Sequence, residues 1–191
     1  MLIKIILFLV GAIADFFTFM LLARFLMQVF RVSFANPIGE TVVGLSNWVV
    51  KPLRRMIPGL FGIDLSSLLP AWLLQSLLLL ITWSLASGSV AASGGLVAGV
   101  LFAGAIDALR VGVYVLIVAL IAAAIASWVN PYSPIAAPAI QLSRPMLRPI
   151  QRILPTISGI DLSPLLAILL LQVALMLLDG FKGSALAFLL R

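Results

Sequence analysis

The sequence predicts an all-α membrane protein: four transmembrane helices built by a tandem parallel duplication, each copy carrying a short interfacial amphipathic basic helix. Three observations predict it. Of 191 residues, 63% are hydrophobic and 9% charged, where soluble domains run about 45–50% and about 25%. The mean hydropathy is +1.26, so too little charge is present to coat a globule, and a disordered chain would leave too much apolar surface in water. Apolar stretches long enough to cross a bilayer, which takes about 20 residues, occur four times. Finally, Gly62-Ile63-Asp64-Leu65-Ser66 returns as Gly159-Ile160-Asp161-Leu162-Ser163, 97 residues further on.

The offset maps Pro37 to Pro134, Pro52 to Pro149, Arg55 to Arg152, Pro58 to Pro155 and Gln75 to Gln172, with Lys51 opposite Arg148. Between residues 37 and 75, 17 of 39 positions are identical without a gap. Leu alone would match often by chance; Pro, Gly, Asp, Arg and Gln would not. The chain is therefore read as a first repeat (1–90), a small-residue linker (91–103) and a second repeat (104–191). An even number of spans per repeat sets both copies the same way up, with a pseudo-two-fold expected along the membrane normal.

The first span covers about 5–30. Lys4 and Ala12-Ile13-Ala14 resemble a signal peptide with its cleavage site, but the apolar run resumes at Phe16 and the second copy has a span at the same place, so an uncleaved span is expected. Asp15 falls near its middle, where a carboxylate is a functional candidate. Its partner position in copy two is Gly112. Arg24 lies nine residues on, on the opposite face, and with Gln28 and Arg31 marks the far end of the helix.

Next comes a Pro-rich basic segment: Lys51-Pro52-Leu53-Arg54-Arg55-Met56-Ile57-Pro58, matched by Arg148-Pro149-Ile150-Gln151-Arg152-Ile153-Leu154-Pro155. Pro52 and Pro149 suit the first position of a short helix that the second Pro ends. Interleaved Arg and aliphatic residues suit a piece lying in the interface. Lys51, Arg54, Arg55, Arg148 and Arg152 are the lipid- or partner-binding candidates. A plain topological anchor and a specific lipid, phosphate or protein patch both fit.

Gly62 and Gly159 permit the chain reversal that follows. Asp64, Ser66, Asp161 and Ser163 are N-cap types ahead of an apolar run, aided by the helix dipole. Asp64 and Asp161 can also pair with Arg55 and Arg152. The second spans, about 66–87 and 163–178, contain Gln75 and Gln172. These amides serve either as interhelical glue or as a polar lining, facing each other across the pseudo-axis. The linker carries Ala91, Gly95, Gly99 and Ala103, a small-residue series for close packing or a flexible connection. The third span, about 106–128, opens with Asp107 and Arg110, which can pair across one turn.

No Cys and no His are present. Disulfides, thiolate nucleophiles and Cys/His metal sites are excluded, and no general-base histidine exists. The six acids are scattered singly and no phosphate-binding Gly-rich loop occurs. No catalytic residue, metal ligand or cofactor is expected, and the chain is read as a non-enzyme.

The net charge of +6 points to anionic lipid and topology rather than nucleic acid. Seven basic residues (Arg31, Lys51, Arg54, Arg55, Arg144, Arg148 and Arg152) fall in the two long loops, against Lys4, Lys182 and Arg191 on the other side. The positive-inside rule puts the loops in the cytoplasm and both termini outside.

The Pro-x-x-Arg-x-x-Pro segment, three residues and then Gly-Ile-Asp-Leu-Ser entering an apolar helix with an internal Gln resembles the YggT (YlmG) family of small integral membrane proteins. The resemblance covers both copies. Copy two is closer to the family pattern, with Ser163-Pro164 where copy one has Ser66-Ser67. It implies a bacterial inner-membrane protein without established chemistry, in a family linked to osmotic stress, ion homeostasis, cell-division gene neighbourhoods and plastid organisation. The expected role is a membrane scaffold or assembly factor whose partners are anionic lipids and a membrane or cytoplasmic protein. The alternative is a small homo-oligomeric pore or carrier for ions.

Overall fold

The computed structural model describes residues 1–57, 64–87, 94–130, 133–153 and 161–189. Among them it forms six helices and no strand: α1 (Leu2–Val29), α2 (Pro37–Met56), α3 (Leu65–Ser87), α4 (Gly94–Val129), α5 (Ala136–Ile153) and α6 (Ser163–Leu189). Gly62 and Gly159, with their expected reversals, lie outside the described residues.

Four helices are long and apolar enough to cross a membrane: Leu2–Val29, Leu65–Leu85, Gly95–Ser127 and Ser163–Ser184. A helix satisfies every backbone polar group within its own segment, which hydrocarbon demands. These helices are apolar all round, as lipid-facing helices are. Phe8 and Ile13 on α1 and Met176, Leu177 and Phe181 on α6 stay exposed.

α2 and α5 differ in kind. α2 buries Gly39, Val42, Ser46 and Val50, a spacing of three and four that marks one helical face. α5 buries Pro138, Ala139, Leu142 and Ser143. Both begin on matched caps. The Asn36 side chain accepts from the Gly39 N–H at 2.9 Å, and the Ser133 hydroxyl accepts from the Ala136 N–H at 3.1 Å, with both pairs related by the same 97-residue offset.

The amphipathic helices are longer than the sequence suggested. Pro52 and Pro149 do not start them; they lie inside, as does Pro145. A proline removes one ladder bond and crowds the preceding turn. Pro52, Pro145 and Pro149 are all exposed on the rim of the bundle, and the helices carry through them. The small-residue linker is also partly helix. Residues 94–103 form the first turns of α4, since their glycines yield to the helix where no proline intervenes. Gly99 and Ala103 of the series are buried, Gly95 is exposed, and Ala91 lies outside the described residues.

Within each repeat the three helices pack on one another: α1, α2 and α3, then α4, α5 and α6. Between repeats α4 packs on α3 and α1, but among the described residues α6 makes no comparable contact with α1. The expected pseudo-two-fold is therefore not formed. The α3–α4 seam explains why. At Gly104 an added Cβ would lie 2.7 Å from Ser76 Cα and 2.8 Å from Ser76 N, and Trp72 Nε1 donates to the Leu101 carbonyl at 2.8 Å. The matched residues are Leu7, Val173, Leu169 and Lys4, which supply neither the space nor the donor.

Candidate functional site

Polar chemistry concentrates in two places: the membrane end that carries α2 and α5, and a cleft that runs from mid-helix toward the opposite end.

At the α2/α5 end, Arg54 Nη2 meets Asp64 Oδ2 at 2.6 Å. The Ser67 hydroxyl donates to the same oxygen at 2.9 Å, and Ser66 donates to the Ile57 carbonyl at 3.1 Å. Gln28, with its amide oriented to suit both neighbours, donates to Asp64 Oδ2 at 2.9 Å and accepts from Arg54 at 3.1 Å. Arg24 is buried and donates to Ser46 Oγ at 2.8 Å and Asn47 Oδ1 at 3.0 Å. Asp64 thus ties the start of α3 to α1 and α2.

Copy two repeats the frame with different parts. Gln151 Nε2 donates to Asp161 Oδ2 at 2.8 Å, and the Ser163 N–H donates to Asp161 Oδ1 at 2.8 Å, a cap on α6. Burial works to raise the Asp161 pKa, but the Ser163 and Gln151 donors outweigh it and hold the carboxyl below its ordinary value. The two aspartates therefore pair with Arg54 and Gln151, not with Arg55 and Arg152. Positions 54 and 151 are matched by the offset, so the duplication preserves a donor there while changing its charge.

Lys51 and Arg55 on α2 and Arg148 and Arg152 on α5 are exposed. Arg144, also exposed, joins them. An apolar groove of about 370 Å³ separates the two helices, lined by residues that include Met20, Ile38, Val115 and Leu142.

The second place is a cleft of about 460 Å³ lined by Asp15, Gln75, Asp107, Arg110, Tyr114 and Lys182, among others. Buried Gln75 donates to Asp15 Oδ1 at 2.9 Å and to Thr18 Oγ1 at 3.1 Å. Lys182 Nζ lies 2.6 Å from Asp107 Oδ2. Arg110 reaches Asp107 at 3.5 Å and Asp179 at 3.1 Å. Two carboxylates, Asp107 and Asp179, thus meet two cations, while Asp15 is held by Gln75. At 1.5 Å per residue, Asp15 lies about 20 Å from either end of α1, and Asp107 about 30 Å from the α5 end of α4. The cleft therefore runs from the middle of the span toward the end away from α2 and α5.

Gln75 and Gln172 do not face each other. Gln75 turns to α1, and Gln172 is exposed on the outer side of α6. Without a pseudo-two-fold no axis brings them together. Sequence reasoning missed Thr18, Asp179 and Lys182 as neighbours of the cleft. The i, i+3 spacing of Asp15 with Thr18, and of Asp179 with Lys182, was the available signal.

A model of the CCB3/YggT family matches residues 3–85 and 102–181. The chain is 35% identical over 167 residues to "Uncharacterized protein YggT" of Escherichia coli (strain K12), covering 87% of this chain and 85% of that protein. It is 36% identical over 178 residues to "Uncharacterized protein in proC 3'region" of Vibrio alginolyticus, covering 92% and 94%. An uncharacterised protein of Pseudomonas aeruginosa (strain PAO1) is 34% identical over 172 residues, covering 89% and 86%. No solved structure matches.

Proposed function

The chain belongs to the CCB3/YggT family, and from that premise we propose that it is a non-enzymatic scaffold of the bacterial inner membrane, holding anionic lipid and a partner protein along its α2/α5 surface. The observation that carries this reading is the pair of amphipathic helices, matched by the duplication, whose basic residues Lys51, Arg55, Arg148 and Arg152 are exposed. Charge on such a helix is drawn to anionic headgroups at about 1 kcal/mol per residue. Arg55 and Arg152 are the residues to change, because Arg54 is engaged with Asp64. In bilayers of mixed phosphatidylglycerol and phosphatidylcholine, spin-labelled phosphatidylglycerol should be enriched around the wild type. The Arg55→Gln/Arg152→Gln variant should reduce that enrichment about fivefold or more at unchanged helix content. Equal enrichment in the two proteins would count against the scaffold reading.

A specific observation favours a second reading, a homo-oligomeric pore or carrier for ions. The cleft of Asp15, Gln75, Asp107, Arg110 and Lys182 places charge at membrane depth, where ionisable groups mark transport paths. Four spans are few to enclose a path, so copies would have to assemble around it. Cation flux into liposomes above the protein-free level, abolished by Asp15→Asn/Gln75→Leu, would support it. Flux equal to that of empty liposomes would remove it.

A further inference from the structure

Copy two carries a cleft that copy one has filled. It lies between α4, α5 and the start of α6, at the α5 end, and has a volume of about 700 Å³. That is within the range of ligand pockets, about 300–1,000 Å³. Its walls are apolar, with Ile121, Ile125, Leu165 and Leu169 among them, and its polar lining includes Arg144, Arg148, Gln151 and Asp161.

The offset shows how the cleft arises. Where copy one has Arg24, Met27 and Phe30, copy two has Ile121, Ala124 and Ser127. Each change removes bulk or a polar head. In copy one the space is closed: Met27, Val50, Asp64, Ser67 and Ala71 are all buried. Their matches Ala124, Leu147, Asp161, Pro164 and Ile168 are not. The guanidinium has also changed helix. Copy one buries Arg24 on its spanning helix against Ser46 and Asn47, whereas copy two has Ile121 there and puts Arg144 at the Asn47 position, exposed at the cleft.

We propose that this cleft holds one anionic phospholipid, its acyl chain against α4 and α6 and its phosphate at Arg144 and Arg148. The proposal rests on the reading that the α2/α5 surface faces anionic headgroups, and narrows it to one site in one repeat. Charge complementarity selects the occupant. An apolar wall opening at two arginines suits a molecule with a hydrocarbon tail and an anionic head. The one carboxylate in the lining, Asp161, is engaged by Gln151 and Ser163 and is outnumbered by the two arginines.

The test is native mass spectrometry of the full chain in detergent, titrated with phosphatidylglycerol or phosphatidylcholine. The wild type should retain one phosphatidylglycerol tightly. Ala124→Met/Ser127→Phe, which restores the copy-one bulk, should lose it. Arg144→Gln/Arg148→Gln should bind it about 30-fold more weakly, from two arginines at about fivefold each, with phosphatidylcholine binding unchanged. Wild-type retention by either copy-two variant would overturn the proposal. The scaffold reading is tested at Arg55 and Arg152, neither of which lines the cleft, so the two can fail separately.

Discussion

Gln75 and Gln172 occupy the same place in their repeats and have opposite fates. Gln75 is buried and bonded to Asp15 and Thr18; Gln172 is exposed. Interhelical bonds within a membrane are each worth about 0.6 kcal/mol and at most about 1.7, and loss of the donor also strips Asp15 of its partner. Gln75→Leu should therefore destabilise the protein by about 1–2 kcal/mol, whereas Gln172→Leu should be near neutral. Thermal unfolding in detergent compares them, and equal effects would show that the Asp15–Gln75 contact carries no stability. The residue types at these positions were legible in the sequence, but their partners were not. Asp64 takes Arg54 rather than Arg55 because adjacent helical residues point about 100° apart. The choice depends on the roll of α2, which is set by the burial of Val42, Ser46 and Val50. No spacing within the chain encodes that roll directly.

At the scale of elements, four spans and two amphipathic segments were legible because apolar length and alternating Arg/aliphatic pattern are local properties. The extent of α2, α5 and α4 was not, since proline and glycine bias a helix end without fixing it, and packing decides. The seam between α3 and α4 is tightly packed. A Cβ at position 104 would run into the Ser76 hydroxyl and also into Ser76 backbone atoms, and because the backbone cannot rotate away, relief requires the helices to separate. Overpacking of this kind costs about 1–3 kcal/mol, and separation would also lengthen the Trp72–Leu101 bond, now 2.8 Å. Gly104→Ala should lower the unfolding temperature, while Gly112→Ala, whose Cβ would meet only Leu22 Cδ1 at 3.9 Å, should leave it nearly unchanged. The pair of melting curves decides this, and equal stability of both variants would mean that the seam is not tight.

For the whole molecule, the lost pseudo-two-fold matters because it leaves α6 with a long lipid-facing surface, and because it separates what the repeat shares from what each copy does alone. The frame is shared: two spans, a capped amphipathic helix and an aspartate tied to position 54 or 151. The cleft of Asp15 and Lys182 and the open pocket of copy two are not. The charges that set orientation belong to the shared frame. Arg31, Lys51, Arg54, Arg55, Arg144, Arg148 and Arg152 all fall at the α2/α5 end, and on the opposite side Lys182 is held by Asp107. Because orientation follows the placement of Lys and Arg near span ends, the α2/α5 end should face the cytoplasm. The native chain has no cysteine, so single-cysteine variants report sidedness without background. Gln141 on α5 and Ser184 on α6 are both exposed and lie at opposite ends of the bundle. In intact cells a membrane-impermeant maleimide should label the Ser184→Cys variant and spare the Gln141→Cys variant until the membrane is opened. The reverse pattern would invert the orientation. Labelling of both from one side would mean that the helix between them does not cross, which would remove the four-span arrangement from which the scaffold and ion-path readings both start.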